Sequence, residues 1–457
     1  MRDILVSRRQ AHLRTLPGLT LFAGIPREPG SENIWIMNGL RIFQEPALMH
    51  LTGINQPGVF LALDPKGKER EILFLPPKDP RKEFWDGVRL GYPIAEENTQ
   101  SHPSESDDLA DARALTGILD IRPSGEFEAW FLSRVAKEKS RRVYAFFHDY
   151  ADPKKKEGRL TSVHDHNYAF KKRLEKLAAT AAKGFEIKSC AAEHLALRLP
   201  LDKPQIQDVL KANRLTGQAF AETLGQLSRF RNENEVAAHL EWGMKRASPF
   251  GLSFPSIVAS GRNATILHYL KNDQPLDAKG MLLLDFGVRW GTMHADVTRT
   301  IPVNGKFNPL QELLYRIVLE ANELVHRACR PGVTIRELNR SVWDYIEKQL
   351  AERFTRRGGK MVRGYEGQPH GVSHLMGEQE HDGDPHRLYQ DHPLQPGWQI
   401  SNEPGLYGHF AITLDGKRFA EWIGIRIEDD ILVTSRGSRN LSAMIPKTPP
   451  EIERLIA

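Results

Sequence analysis

The chain has 457 residues, 40% of them hydrophobic, which is enough apolar surface for two domains and more than a peptide-sized module needs. Its 63 Lys and Arg stand against 58 Asp and Glu, and a net charge of +5 on so long a chain argues against nucleic acid as a partner. No run approaches the roughly 20 apolar residues of a membrane span, and Cys190 and Cys329, one in each half, are too few for a disulfide framework, which fits a reducing cytoplasm. The opening segment has no apolar core behind its charges, so we expect a cytoplasmic protein with no membrane contact.

From Leu19 to Tyr150 short β-like runs, Leu19–Ala23, Val59–Leu63, Ile72–Leu75 and Val143–Phe147, are separated by Gly, Pro and Asp clusters. Glu126 to Lys137 reads as helix, and the mixture predicts an α/β domain. The basic stretch Asp152 to Lys176 reads as a solvated loop and helix face, because no aromatic ladder is interleaved with it. Leu199-Pro200-Leu201-Asp202-Lys203-Pro204 reads as a junction, with Asp202 near the cap of the next helix and Pro204 in its first turn. The expected domains are therefore 1–200 and 201–457.

In the second domain apolar residues recur at helical steps over Gln205–Leu227, Asn232–Ala247, Leu310–Cys329 and Ile335–Leu350, which predicts four helices on one sheet. Asp285 closes the apolar run Met281–Leu284, and Asp296 precedes Val297-Thr298-Arg299-Thr300. A hairpin turning at Trp290-Gly291 sets these two aspartates directly opposite each other, with Cβ atoms about 5 Å apart. Carboxylates that close repel unless a cation or a shared proton lies between them.

Three further residues have comparable settings. His374 ends Gln368-Pro369-His370-Gly371-Val372-Ser373-His374, with His381-Asp382 seven residues on. Glu403 ends an extended run before Pro404-Gly405, and strict alternation over Ile425–Glu428 gives Arg426 and Glu428 a common face. Singly, each has a plainer reading: a turn-capping Asp, an acid dyad sharing a proton, a Glu428–Arg426 pair on one strand face. Those readings leave unexplained why five such residues stand on separate segments. Asp285, Asp296, His374, Glu403 and Glu428 make a hard, oxygen-rich donor set for two divalent cations, manganese before any thiolate-loving metal.

These stretches also carry a resemblance. Ser260-Gly261-Arg262-Asn263 to Ile266-Leu267-His268-Tyr269, Asp285-Phe286-Gly287, Ala295 to Thr300, His370 to His374, Asn402 to Tyr407 and Gly424 to Asp430 occur in the order seen in one metallopeptidase family. The second half resembles the catalytic domain of the family containing methionine aminopeptidase, prolidase and aminopeptidase P. Its pita-bread fold packs helices around a curved antiparallel sheet. The first half is similar to the amino-terminal domain of aminopeptidase P and prolidase at Arg8-Arg9-Gln10 and Trp85 to Gly91, a domain that methionine aminopeptidase lacks.

The resemblance implies an α/β domain followed by an α+β pita-bread domain, and metal-dependent release of the first residue from peptides with proline second. The alternatives are a prolidase, which cleaves only Xaa-Pro dipeptides, and a non-catalytic binding protein of the same fold, whose known relatives lack the ligands. It further implies that Asp285 chelates one metal, that Asp296 and Glu428 bridge two, and that His374 and Glu403 complete the second. Glu403 would also carry a proton to the leaving proline nitrogen. His268 and His381 would hydrogen-bond the substrate carbonyl or the tetrahedral intermediate, while His370, Tyr407 and Arg426 would shape the proline side. Trp85 would reach a neighbouring subunit's cleft in a homodimer or homotetramer. One departure is Phe254, where relatives carry a tyrosine fourteen residues before the first histidine.

Overall fold

In a computed structural model, residues 2–26, 44–79, 83–85, 87–93, 107–138, 140–148, 166–181, 184–384 and 387–456 are described. The chain divides into two compact units, Met1–Arg198 and Leu199–Ala457.

The first unit is built on β1 (Thr20–Ala23), β2 (Phe60–Leu63), β3 (Glu71–Leu75), β4 (Asp120–Pro123), β5 (Arg142–Ala145) and β6 (Glu186–Ser189), in the order β4-β3-β2-β1-β5-β6. The β1–β2–β3 core is antiparallel and the flanking pairs are parallel. Successive strand residues point to opposite faces. Phe22, Leu61, Leu63 and Leu73 thus pack into a core with Leu13, Leu48 and Leu51 of helices Arg2–Thr15 and Pro46–Thr52. Leu21, Ala62 and Phe74 pack into another with Phe127, Phe131 and Leu174 of helices Phe127–Ala136 and His166–Ala181. Arg9 is buried and donates to Glu71 (3.1 Å), to the Leu51 carbonyl (2.8 Å) and to the Thr116 carbonyl (2.6 Å), tying its helix to the sheet.

Of the basic stretch, residues 152–165 lie outside the described residues. The helix that follows pairs Arg173 with Glu128 at 2.7 Å and Lys172 with Glu175 at 3.0 Å, as a solvated face should. Trp85 is 79% exposed and Phe84 is 85% exposed. Asp86, in the same quoted stretch, lies outside the described residues.

The second unit opens with helix Lys203–Leu224, whose capping box joins Asp202 and Gln205 and which has proline in its first turn. Helices Glu233–Ala247, Pro309–Ala328 and Ile335–Arg353 start at Asn232, Asn308 and Thr334, the last two again with capping boxes. Each box satisfies two backbone donors that the first helical turn leaves free.

The strands of this unit are β7 (Ile257–Ser260), β8 (Met281–Phe286), β9 (Arg289–Trp290), β10 (Met293–His294), β11 (Val297–Pro302), β12 (Lys360–Val362), β13 (Leu375–Met376), β14 (Gln399–Asn402), β15 (Gly405–Leu414), β16 (Lys417–Arg426), β17 (Asp429–Val433) and β18 (Ser438–Asn440). Instead of one sheet, they form the ladders β11-β8-β7, β10-β9, β12-β15-β16 and β13-β14-β17-β18. Pairing stops at Glu403-Pro404 and at Ile427-Glu428, and a proline cannot donate to a ladder. The ladders are stitched where pairing stops: Glu428 N–H donates to the Thr298 carbonyl (3.0 Å) and Glu403 N–H to the Val372 carbonyl (2.9 Å).

The hairpin corrects one expectation. Trp290 pairs with Met293, so the two-residue loop is Gly291-Thr292, and Asp285 pairs with Thr298 rather than with Asp296. The reason is conformational: Gly291 takes φ +61° at the first loop position, which glycine adopts without strain. A slip of two residues preserves side-chain parity, so both aspartates stay on one face, diagonal instead of opposed. At Gly287 a Cβ would lie 1.8 Å from the Ala295 carbonyl oxygen, so this crossing needs a residue without a side chain.

Candidate metal centre

Three of the five expected ligands converge. One donor atom each from Asp296, His374 and Glu428 lies within 4.8 Å of the other two, and all three residues are buried. Asp296 comes from the turn into β11, His374 from the residue before β13, and Glu428 from the link between β16 and β17. Glu403 joins from the end of β14, its Oε1 lying 3.6 Å from His374 Nε2, which is 3.7 Å from Asp296 Oδ2.

The backbone fixes the histidine tautomer. His374 Nδ1 lies 3.1 Å from the Leu375 carbonyl, which can only accept, so the proton sits on Nδ1 and the Nε2 lone pair faces the carboxylates. Burial, with His381 close by, lowers the pKa of His374 to about 3, keeping the ring neutral as a ligand must be.

Asp285 stands at the edge of this group. Its Oδ2 accepts from Arg426 Nη2 at 2.5 Å, while Oδ1 is buried with no hydrogen-bond partner. Arg426 also donates to the Thr298 hydroxyl (3.1 Å) and to the Tyr407 hydroxyl (3.3 Å). Thr298 in turn donates to Glu428 at 2.7 Å. Arg426 and Glu428 therefore share a face, and the hydroxyl joining them comes from Thr298, the residue opposite Asp285.

The electrostatics leave this pocket short of positive charge. Burial, Glu428 and Asp285 hold the Asp296 carboxyl well above its usual range, and burial, Glu403 and Asp285 do the same to Glu428. Glu403 is pushed up to about 7 by burial, which Arg426 opposes and Asp285 reinforces. Three buried carboxylates and the half-buried Glu403, with Arg426 as their nearby guanidinium, must bind protons or cations. An orphaned Asp285 oxygen, an oriented imidazole nitrogen and an oxygen-rich donor set fit divalent cations.

Of the remaining candidates, His268, His370, His381 and Arg426 line one cleft of about 470 Å³ that also contains the ligand set, whereas Tyr407 is buried and is not among the lining residues. His370 Nε2 lies 2.9 Å from the Tyr407 hydroxyl, and its Nδ1 lies 2.8 Å from the Gly371 carbonyl and 3.8 Å from Glu403. The His374 and His381 rings are 4.2 Å apart, centroid to centroid. His268 is exposed in a turn rather than packed in a strand. That turn follows a 3-10 segment, Gly261–Thr265, lying so close to β16 that a Cβ on Gly424 would sit 1.9 Å from the Ala264 carbonyl oxygen. Phe254 lines the cleft as well, where the tyrosine of relatives would add a hydroxyl. Trp85 belongs to the first unit and is not among the residues lining this cleft.

Some contributors were not singled out from the sequence. Thr298 is legible in retrospect, since Asp296, Thr298 and Thr300 alternate along one strand. Glu380 and Arg387 also line the cleft, in a loop with no periodicity to flag them. Asp430 accepts from the Asp296 N–H (3.4 Å) and from Asn213 (2.6 Å), contacts across a large sequence separation.

Comparison with known proteins agrees with this geometry. Residues 6–119 match the aminopeptidase P N-terminal domain, and residues 207–435 match metallopeptidase family M24. Xaa-Pro aminopeptidase 3 of Rattus norvegicus is 30% identical over 424 residues, covering 90% of this chain and 76% of the relative. The Xaa-Pro aminopeptidase of Haemophilus influenzae is 28% identical over 422 residues, covering 90% of this chain and 88% of its own. Aminopeptidase P from E. coli, solved with the inhibitor Pro-Leu, superposes with a TM-score of 0.77 at 26% identity over 100% of this chain and 98% of that one. With a catalytic-domain match over half its length and an aminopeptidase P N-terminal domain in front, the chain belongs to metallopeptidase family M24.

Proposed function

We propose that the chain is a metal-dependent aminopeptidase that releases the N-terminal residue from peptides with proline in the second position. The observation that carries this reading is the convergence of Asp296, His374 and Glu428 within 4.8 Å, in a cleft shared with Asp285, Glu403, His268 and His381. Relatives named Xaa-Pro aminopeptidase, similar to this chain over 90% of its length, support the substrate class and do not favour a prolidase or a non-catalytic protein.

Asp285, Asp296, His374, Glu403 and Glu428 hold two divalent cations, for which their oxygen-rich chemistry favours manganese. When bound, such a pair lowers the pKa of a water enough to supply a nucleophile near neutral pH. Glu403, with a carboxyl at about 7, is suited to take a proton and return it to the departing proline nitrogen. His268 and His381 donate hydrogen bonds to the carbonyl oxygen as negative charge grows on it. His370 and Arg426, which line the cleft and are both held by the buried Tyr407 hydroxyl (2.9 and 3.3 Å), form a rigid wall for the proline ring. A fixed proline φ suits a preformed wall, because little freedom is lost on binding.

The protein works as a homo-oligomer through the exposed Phe84-Trp85 segment of its first unit. Its two cysteines are free and buried, which suits a reducing compartment such as the cytoplasm. No helix among the described residues is long and apolar enough to cross a membrane.

The test compares manganese-loaded enzyme on Xaa-Pro-Yaa and Xaa-Ala-Yaa tripeptides by product analysis. Cleavage confined to the proline series is expected. Equal rates on both, or no release from any tripeptide, would overturn the reading.

A further inference from the structure

The two breaks in strand pairing lie opposite each other. Carrying the flanking pairs, Asn402 with Asp429 and Gly405 with Arg426, through the gap sets Glu403 opposite Glu428 and Pro404 opposite Ile427. Ile427 N–H still donates to the Pro404 carbonyl at 3.3 Å, but proline has no N–H to return, so the Ile427 carbonyl lacks its ladder donor. Two carboxylates thus stand opposed where the ladder is weakest. Cross-strand Cβ atoms there are about 5 Å apart, and like charges push such a pair of strands apart.

The missing donor comes from a helix. Asn322, in helix Pro309–Ala328, is fully buried, and its Nδ2 donates to the Ile427 carbonyl (3.1 Å) and to the Asn402 carbonyl (3.1 Å). Those two residues immediately precede Glu428 and Glu403. Asn402 Nδ2 returns a bond to the Asn322 carbonyl at 2.8 Å. Lys447 Nζ donates to Asn322 Oδ1 at 2.7 Å, and because an ammonium can only donate, it fixes which end of the amide faces the two carbonyls. A buried amide must spend its donors and its acceptor, and this one spends both donors on a single junction.

We infer that Asn322 is a positioning residue for the metal centre: by bridging the break it sets the separation of Glu403 and Glu428, and so the affinity for the cation nearest Glu403. This rests on the two-cation reading of the site and deepens it. Glu428 has further anchors, its N–H on the Thr298 carbonyl (3.0 Å) and its carbonyl on Arg299 Nη1 (2.5 Å), whereas Glu403 is tied by its N–H to the Val372 carbonyl (2.9 Å). Loss of the bridge therefore moves Glu403 more than Glu428. The cation affected is the one Glu403 shares with His374, whose Nε2 lies 3.6 Å from Glu403 Oε1. Asp285 and Asp296 belong to the β8–β11 hairpin and keep their places.

The experiment titrates metal-free, full-length protein with cobalt(II), following bound metal by equilibrium dialysis and the visible d–d absorption, which reports ligand number and geometry. Native protein should take up two ions. Asn322→Ala, which is neutral and removes both donors, should bind one ion as the native protein does and the other about 10-fold or more weakly, with altered absorption for that ion alone. Its Tm should fall as well. A merely structural Asn322 would lower Tm yet leave the affinities of the folded protein as they were, so the affinities decide. Should Asn322→Ala not fold, Lys447→Met takes its place: removal of a cation would by charge alone strengthen metal binding, so weaker uptake of one ion reports the lost orientation of the amide. Native affinity for both ions in the folded variant, or equal weakening of both, would overturn the inference alone. Native protein that takes up fewer than two cobalt ions would overturn the two-cation reading and this inference with it.

Discussion

Replacing Glu403 by Gln should make the metal-free protein more stable while abolishing its activity. The carboxyl is raised from 4.5 to about 7 because it is buried among other acids. A raised carboxyl binds its proton more tightly in the folded than in the unfolded chain. Stability is therefore lost as pH climbs from the unfolded value through the folded one. Below about pH 4.5 the acid is neutral in both states and resembles the amide, so the two proteins should melt together. Above pH 7 the native protein carries a penalty of about 3 kcal/mol that the variant lacks, at 1.36 kcal/mol per pH unit. For a domain of this size that is about 6–12 °C in Tm. The assay is thermal melting with a chelator at pH 4.5 and pH 8, where subtracting variant from native cancels the titrating groups that do not interact with Glu403, while relief of Glu428 adds in the same direction. Adding manganese should stabilise the native protein by about 2.7 kcal/mol at one hundred times its Kd, and the variant less. A Glu403→Gln protein that melts with or below the native one at pH 8 under chelation would refute the reasoning.

Asp296→Asn should abolish turnover and lower bound metal by elemental analysis, because an amide cannot bridge two cations; two full metals with normal activity would contradict it. His268→Ala and His381→Ala should keep both metals and lose about 10²-fold in kcat, as expected when one contact to developing charge is removed. Metal loss from a folded variant would show that the residue is a ligand. Behind the site, Arg299 is fully buried, donating to Asp429 (2.9 Å) and to the Ile445 carbonyl (3.1 Å). Arg299→Met should therefore destabilise the second unit, by less than the about 3–5 kcal/mol of a wholly unpaired buried charge, since Asp429 keeps Lys447 and Ser442 as partners. An unchanged melting curve would count against that account.

What the sequence determined by itself is what depends on near neighbours. The near-continuous apolar runs Leu19–Ala23, Val59–Leu63 and Ile72–Leu75 are enough to place strands with two buried faces, and the structure sorts those residues into two cores. Capping residues such as Asp202 mark helix starts because they bond donors within one turn. Asp285, Asp296, Glu403 and Glu428 were legible as acids at the ends of extended runs, where polar residues need a reason to be.

Tertiary structure alone decided how these segments meet. The hairpin register moved by two residues, which side-chain parity cannot reveal, because a slip of two returns every residue to the face it left. The break-up of one expected sheet into ladders at Glu403-Pro404 and Ile427-Glu428 follows from pairings between distant strands. Arg426 could have paired with Glu428 on its own strand; it bonds Asp285 instead, 141 positions away, and reaches Glu428 only through Thr298. Glu380 belongs to a loop, where no period constrains direction, and only the closed fold turns it into the cleft. Local pattern sets which face a residue takes, while the partners on that face are set by packing across the whole unit.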